Sequence, residues 1–299
     1  MGDPWASKEE EKEKIIEGSP ESASADKVIA KKELKKWFEK SKESKSPGSS
    51  IKAAFYGADG IGKSGICMDS MTQDEIDTGM QMVIFDVDGS ARPIYERFHS
   101  KKNFTVLDPM EQLPGGEIDF VTTYAKMMSA AKYIKEDMDG VAGTVLDGAG
   151  YFFKICEMVM RFEDLKINPD VRLSDQFQWS IRNRRYNALL LLLKRLPYRF
   201  FLTTHLKEKK QRINKELIVV GEEPEWESHT PQKMFQKIFL ERRVDEELGG
   251  VIFEATIEKA KGNLALEGTK HEFARVVDED VKWEGLGKVF RQFEGVGQK

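Results

Sequence analysis

IKAAFYGADGIGKSG, residues 51–65, joins a short apolar run to a glycine-rich loop that ends in lysine and serine. The run IKAAFYG (51–57) reads as a buried strand, and the residues after the loop read as a helix. Gly57, Ala58, Asp59, Gly60, Ile61, Gly62, Lys63, Ser64 and Gly65 carry the spacing of a phosphate-binding loop, G-x-x-x-x-G-K-S, in the required strand-to-helix context. Glycines let the backbone wrap a phosphate with its N–H groups turned inward. Lys63 is expected at the β- and γ-phosphates, and the Ser64 hydroxyl on Mg²⁺. Glycine-rich turns also join strands to helices in many α/β folds without a ligand.

Outward from the loop, MQMVIFDVD (80–88), NFTVLD (103–108), GTVLDGAG (143–150) and YRFFLTTH (198–205) read as further strands. TTYAKMMSAAKYIKED (122–137) and QWSIRNRRYNALLLLLKRL (178–196) have helical spacing, and TQDEID (72–77) reads as an acidic turn. Strands alternating with helices imply an α/β fold, with a mostly parallel sheet and helices on both faces. ELIVVG (216–221) and the segment 249–277 add a strand-rich C-terminal part.

The 299 residues are 40% hydrophobic, enough for a substantial core in residues 49–299. Residues 1–48 are rich in Lys, Glu and Ser and read as a flexible charged tail. Within it, 25–41 suit one amphipathic helix, with Val28, Ile29, Leu34, Trp37 and Phe38 on its apolar side. A net charge of -4 argues against coating nucleic acid by bulk charge, though not against a local basic stripe. Two cysteines, Cys67 and Cys156, lack ligand spacing and imply no disulfide framework. The start MGDPWASKEEEKEK lacks a signal-peptide pattern, and the longest apolar run, 188–193, is too short to cross a bilayer. A soluble, intracellular, cytoplasmic protein is expected, with no membrane partner.

A phosphate loop that uses Mg²⁺ needs a second carboxylate, and Asp147 ends an apolar strand where the metal would sit. Asp147 also suits a helix cap. Asp86 and Asp88 end the strand 80–88 on one side; Asp88 equally suits an Asp-Gly turn. Two lysines, Lys259 and Lys261, project from one side of a late strand and repel unless an anion lies between them. As an edge device against aggregation they need no anion at all.

Taken together, GADGIGKSG, the acidic pair, Asp147, the polar strand end Thr203, Thr204 and His205, and the Lys-x-Lys of IEKAKGN resemble the RecA-like ATPases over residues 50–275. Within that group the chain is most similar to the short single-core ATPases of phages and archaeal viruses, which include single-strand annealing and recombination enzymes. The resemblance implies ATP and Mg²⁺ as ligands, Asp88 polarising the attacking water, and Thr204 or His205 sensing the γ-phosphate. It further implies that Lys259 and Lys261 act in trans on a neighbouring subunit's nucleotide, in a homo-oligomeric ring or filament. Lys207, Lys209, Lys210 and Arg212 follow the sensor position and are expected on single-stranded DNA; Arg182, Arg184 and Arg185 offer a second basic cluster. A ring-forming DNA motor and a protein-directed regulatory ATPase remain alternatives. Trp226, among glutamates, reads as structural.

Overall fold

The computed structural model describes residues 51–99, 102–173, 175–213, 216–245, 250–277 and 280–293, all within one compact unit, Gly48–Lys299. The tail 1–48 and the amphipathic helix expected at 25–41 lie outside the described residues. Eleven strands are described: β1 (Lys52–Tyr56), β2 (Gln81–Asp86), β3 (Phe104–Leu107), β4 (Val141–Asp147), β5 (Arg199–Thr204), β6 (Leu206–Ile213), β7 (Glu216–Pro224), β8 (Gln236–Asp245), β9 (Gly250–Ala260), β10 (Lys270–Val277) and β11 (Asp280–Trp283).

Nine of them form one sheet in the order β3-β2-β4-β5-β1-β8-β9-β10-β11. From β3 to β8 every neighbouring pair is parallel; from β8 to β11 every pair is antiparallel. The fold is therefore α/β with a mostly parallel sheet, and the strand-rich C-terminal part extends that sheet. β6 and β7 stand apart as a two-stranded hairpin. β8 was not foreseen in QKIFLERRVD, because the consecutive Glu241, Arg242 and Arg243 break the alternation of a half-buried strand; Ile238 and Leu240 supply the buried face.

Residues of β1 are buried throughout, as expected of a central parallel strand covered on both faces. Ala53 and Phe55 enter one core, Ala54 and Tyr56 the other. On the first face lie α1 (Lys63–Asp69), α2 (Gln73–Asp77), α3 (Ala91–Phe98) and α8 (Gly287–Phe293). The second face carries α4 (Phe120–Glu136), α5 (Ala149–Val159) and α6 (Gln176–Lys194), while α7 (Thr230–Lys233) is a single turn before β8. α6 starts where Asp175 accepts the Phe177 N–H at 2.8 Å, and it buries Tyr186, Leu189, Leu190 and Leu193, one helical stripe. The expected acidic turn at 72–77 is instead α2, a short helix closed by a capping box between Thr72 and Glu75. Trp226 is buried edge-on to Tyr56, in keeping with a structural role.

His99, just after α3, is buried beside Phe104 and Trp283, and its Nε2 has no hydrogen-bond partner among the described residues. Burial, helped by the nearby Lys102 ammonium, pushes its pKa down to about 4. The unfolded chain therefore takes up a proton near pH 6.5 while the folded chain does so only near pH 4. Stability is full above pH 6.5 and falls as pH drops from there towards 4. Urea unfolding is expected to show a loss of about 2 kcal/mol from this group between pH 7 and pH 5. His99→Phe should flatten that part of the profile, and an unchanged slope in the variant would refute the assignment.

Candidate active site

All parallel strands of one sheet end at the same edge, so the residues just past β1, β2, β4 and β5 converge there. A cleft of about 700 Å³ opens at that edge, lined by 58–64, Asp88, Ser90, Asp147 and His205. The loop 57–65 is shaped by close approach. Gly62, at φ 82°, opens into α1, and a Cβ on Gly65 would lie 2.0 Å from the Trp283 indole.

Lys63 is largely buried at the cleft floor. Its ammonium donates to the Ala58 carbonyl at 2.7 Å and the Gly57 carbonyl at 3.2 Å, and lies 3.2 Å from His205 Nδ1. Burial lowers its pKa, against the pull of Asp59, Asp147 and Asp88. The Ser64 hydroxyl donates to Asp147 Oδ2 at 2.7 Å, and the Thr203 hydroxyl donates to Asp147 Oδ1 while accepting the Gly148 N–H at 3.0 Å. Asp147 is wholly buried; burial, reinforced by the charge of Asp88, pushes its carboxyl up to about 6 despite those two hydrogen bonds.

Asp86 and Asp88, alike in sequence, divide in role. Asp86 turns inward and accepts the Ala91 and Arg92 N–H groups at 3.1 and 3.3 Å, capping α3. Asp88 faces the cleft. Burial pushes its carboxyl up, but hydrogen bonds from His205 and Ser90 outweigh this and hold it below the usual carboxylate range. The turn chemistry is also present, since Asp88 accepts the Ser90 N–H at 3.1 Å. His205 lies between acids, with Nδ1 at 2.5 Å from Asp59 and Nε2 at 3.4 Å from Asp88. The Asp88 contact raises the imidazole pKa despite burial and the adjoining Lys63 ammonium.

Asp86, Asp88 and Asp147 each offer a carboxylate oxygen within 4.8 Å of the others. Repelling carboxylates around a buried acid, with the Ser64 hydroxyl alongside, suit a hard cation with oxygen ligands. Ser90 Oγ lies 3.4 Å from Asp147 Oδ2 and belongs to the same group; sequence reasoning passed over it as turn. Glu222 and Glu225 wall the cleft from the end of β7 and were also missed, their run of acids reading only as an unsuitable DNA surface. Beside the cleft, and sharing Gly60, Gly62 and Ile94 with it, is an apolar slot of about 250 Å³ faced by Phe98, Phe253, Phe273 and Trp283.

Other sequence-derived residues lie elsewhere. Thr204 turns away from the cleft and donates its hydroxyl to the Glu225 carbonyl at 2.6 Å, tying the hairpin's return to β5. Of the two sensor candidates, the structure brings only His205 to the acids. Register runs from Ala53 through Gln236 to Ala260, so Lys259 and Lys261 sit at the sheet edge opposite their own chain's cleft. Lys259 donates to the Pro231 and Met234 carbonyls, both at 2.7 Å. Arg182 and Arg185 are engaged within the fold, Arg182 with Glu157 and the Phe153 and Trp179 rings, Arg185 with Asp164 and Glu163. They offer no free basic surface.

Lys207, Lys209, Lys210 and Arg212 are exposed along β6, which begins one residue after His205. Lys207 and Lys210 have weak exposed partners in Glu223 and Glu208; among the described residues Lys209 and Arg212 make no ion pair. Leu217, Ile218, Val219 and Val220 on β7 are exposed beside them. Among the described residues, no helix is long and apolar enough to cross a membrane. No protein-family model and no curated protein matches this chain.

Proposed function

We propose that this protein is a Mg²⁺-dependent ATPase of the RecA-like type that assembles with copies of itself and acts on single-stranded DNA. The observation that carries the proposal is the meeting, at one sheet edge, of Lys63, Ser64, Asp147, Asp88 and His205 from the ends of four different strands. Lys63 exchanges the Ala58 and Gly57 carbonyls for β- and γ-phosphate oxygens, which repay its burial better than neutral acceptors do. Ser64 and Asp147 are the residues that would hold Mg²⁺, whose charge would offset that of the phosphates. The apolar slot beside Gly62 accepts the base.

Asp88, ionised and open to the cleft, takes the proton of a water whose oxygen attacks the γ-phosphorus as the bond to the bridging oxygen breaks. His205 orients that carboxylate and lies one residue before the basic hairpin, so a change at the γ-phosphate reaches β6 through a single peptide link. The exposed cations and apolar residues of β6–β7 fit a phosphate backbone with unstacked bases. ATP hydrolysis should therefore rise with single-stranded DNA and with chain concentration, the DNA effect fading with salt. A rate indifferent to DNA would remove the nucleic-acid half of the proposal and leave the ATPase.

Thr203 is a positioning residue for Asp147. Thr203→Val keeps the shape but deletes the hydroxyl that fixes the carboxylate. Titration of nucleotide binding with Mg²⁺ is expected to show a midpoint about tenfold higher in Val and recovery in Thr203→Ser. Equal Mg²⁺ midpoints in wild type and Val would contradict the role.

A further inference from the structure

Antiparallel register carries the C-terminal strands past the end of β1. Tyr56 pairs with Phe239 on β8, and Arg242, three residues on, pairs with Phe253 on β9. Phe253 in turn pairs with Ala274 on β10, and Ala274 with Trp283 on β11. That row stands roughly 10 Å beyond the end of β1, where it meets the glycine loop. Cβ atoms on Gly62 and Gly65 would lie 3.3 Å from the Phe273 ring and 2.0 Å from the Trp283 indole. Bare glycines therefore let two aromatic rings press against the loop. Asp88, Asp147 and His205 stand at the ends of β2, β4 and β5, across β1 in the sheet from β9, β10 and β11.

The slot of about 250 Å³ between these strands and α3 adjoins the cleft at Gly60, Gly62 and Ile94. Its wall has one chemistry. Ile94, Phe98, Phe253, Phe273, Val281 and Trp283 bring side chains without charge or hydroxyl. Phe98, Phe253 and Trp283 are only half-buried, and large apolar rings left open together around a slot mark a binding surface. The one polar side-chain atom of this wall, Trp283 Nε1, is buried without an acceptor among the described residues, so it does not present its proton to the slot.

We infer that this slot holds the nucleobase by stacking and apolar contact alone, without reading its edge, so that purine nucleoside triphosphates in general, GTP as well as ATP, are substrates of the cleft. The inference rests on the phosphate-loop reading of the cleft and widens its substrate from ATP, which the RecA-like resemblance implies, to a class. Adenine and guanine differ in the donors and acceptors at their edges and share one bicyclic ring face. A pocket that hydrogen-bonds such edge groups rejects the wrong partner by about 10⁴-fold or more, whereas an apolar pocket discriminates near-isosteres weakly. Stacking on aromatic rings tolerates a change of base because every base has a π-face. Pyrimidines, with one ring, cover less of the wall and are held less well.

The test measures, by calorimetry, the affinity of the full-length protein for MgATP, MgGTP, MgCTP and magnesium tripolyphosphate, which has no base. ATP and GTP are expected to bind within about fivefold of one another, and CTP about tenfold more weakly than either. Phe253→Ala and Trp283→Ala should each weaken ATP and GTP alike, by about fivefold or more, and leave tripolyphosphate unchanged. Trp283→Phe, which keeps a ring, should retain most of the affinity. GTP more than about 20-fold weaker than ATP would overturn the inference and show that the base edge is read. Unchanged ATP affinity in both alanine variants would overturn it by placing the base elsewhere. An equal loss of tripolyphosphate in those variants would also overturn it, marking the rings as supports of the loop. Failure of the wild-type chain to bind any of the four ligands would instead sink the phosphate-loop reading on which the inference rests.

Discussion

Lys63→Ala is expected to weaken MgATP binding at least about 100-fold and to leave no measurable turnover. The cleft holds few cations against many acids, so the Lys63 ammonium is the principal positive group on its floor. Two charged hydrogen bonds to phosphate, each worth roughly 1.5 kcal/mol or more, already account for such a loss. The fold should survive, because the lysine contributes little to stability: its burial disfavours the charged form, and its present acceptors are loop carbonyls. An unchanged or higher melting temperature beside lost nucleotide binding is the expected pair of results. Wild-type affinity in the variant would remove the phosphate loop from the account.

Asp88→Asn should keep ATP bound and slow its hydrolysis about 10²- to 10⁴-fold. Asparagine preserves the size of the side chain and can still accept the Ser90 N–H, but it takes no proton from water. Glu225 lines the same cleft and is the natural competitor for the role. Single-turnover rates for Asp88→Asn and Glu225→Gln separate the two. Retained chemistry in the first with loss in the second would move the base to Glu225.

Much of this arrangement was legible because it is local. The strand 52–56, the glycine loop and Asp147 at the end of an apolar run are each set by a few adjacent residues. The acidic pair was legible only in part: spacing puts Asp86 and Asp88 on one side, but only the start of α3 decides that Asp86 spends its oxygens on the Ala91 and Arg92 N–H groups. Thr204 and His205 were indistinguishable in sequence, and a contact to the Glu225 carbonyl separates them. β8 was missed because its charged residues hide the alternation, and with it went the level at which Lys259 and Lys261 sit. Lys194 and Lys261 meet over the Phe235 ring, across separations that no local pattern encodes.

Hydrolysis at this cleft is read without intermediary from steady-state phosphate release by the wild-type chain. ATP would be supplied with single-stranded DNA, once with Mg²⁺ and once with excess EDTA, with Lys63→Ala run beside it. Release is expected with Mg²⁺, stopping in EDTA and lost in Lys63→Ala. No release by wild type in Mg²⁺, or equal release by the variant, would contradict it.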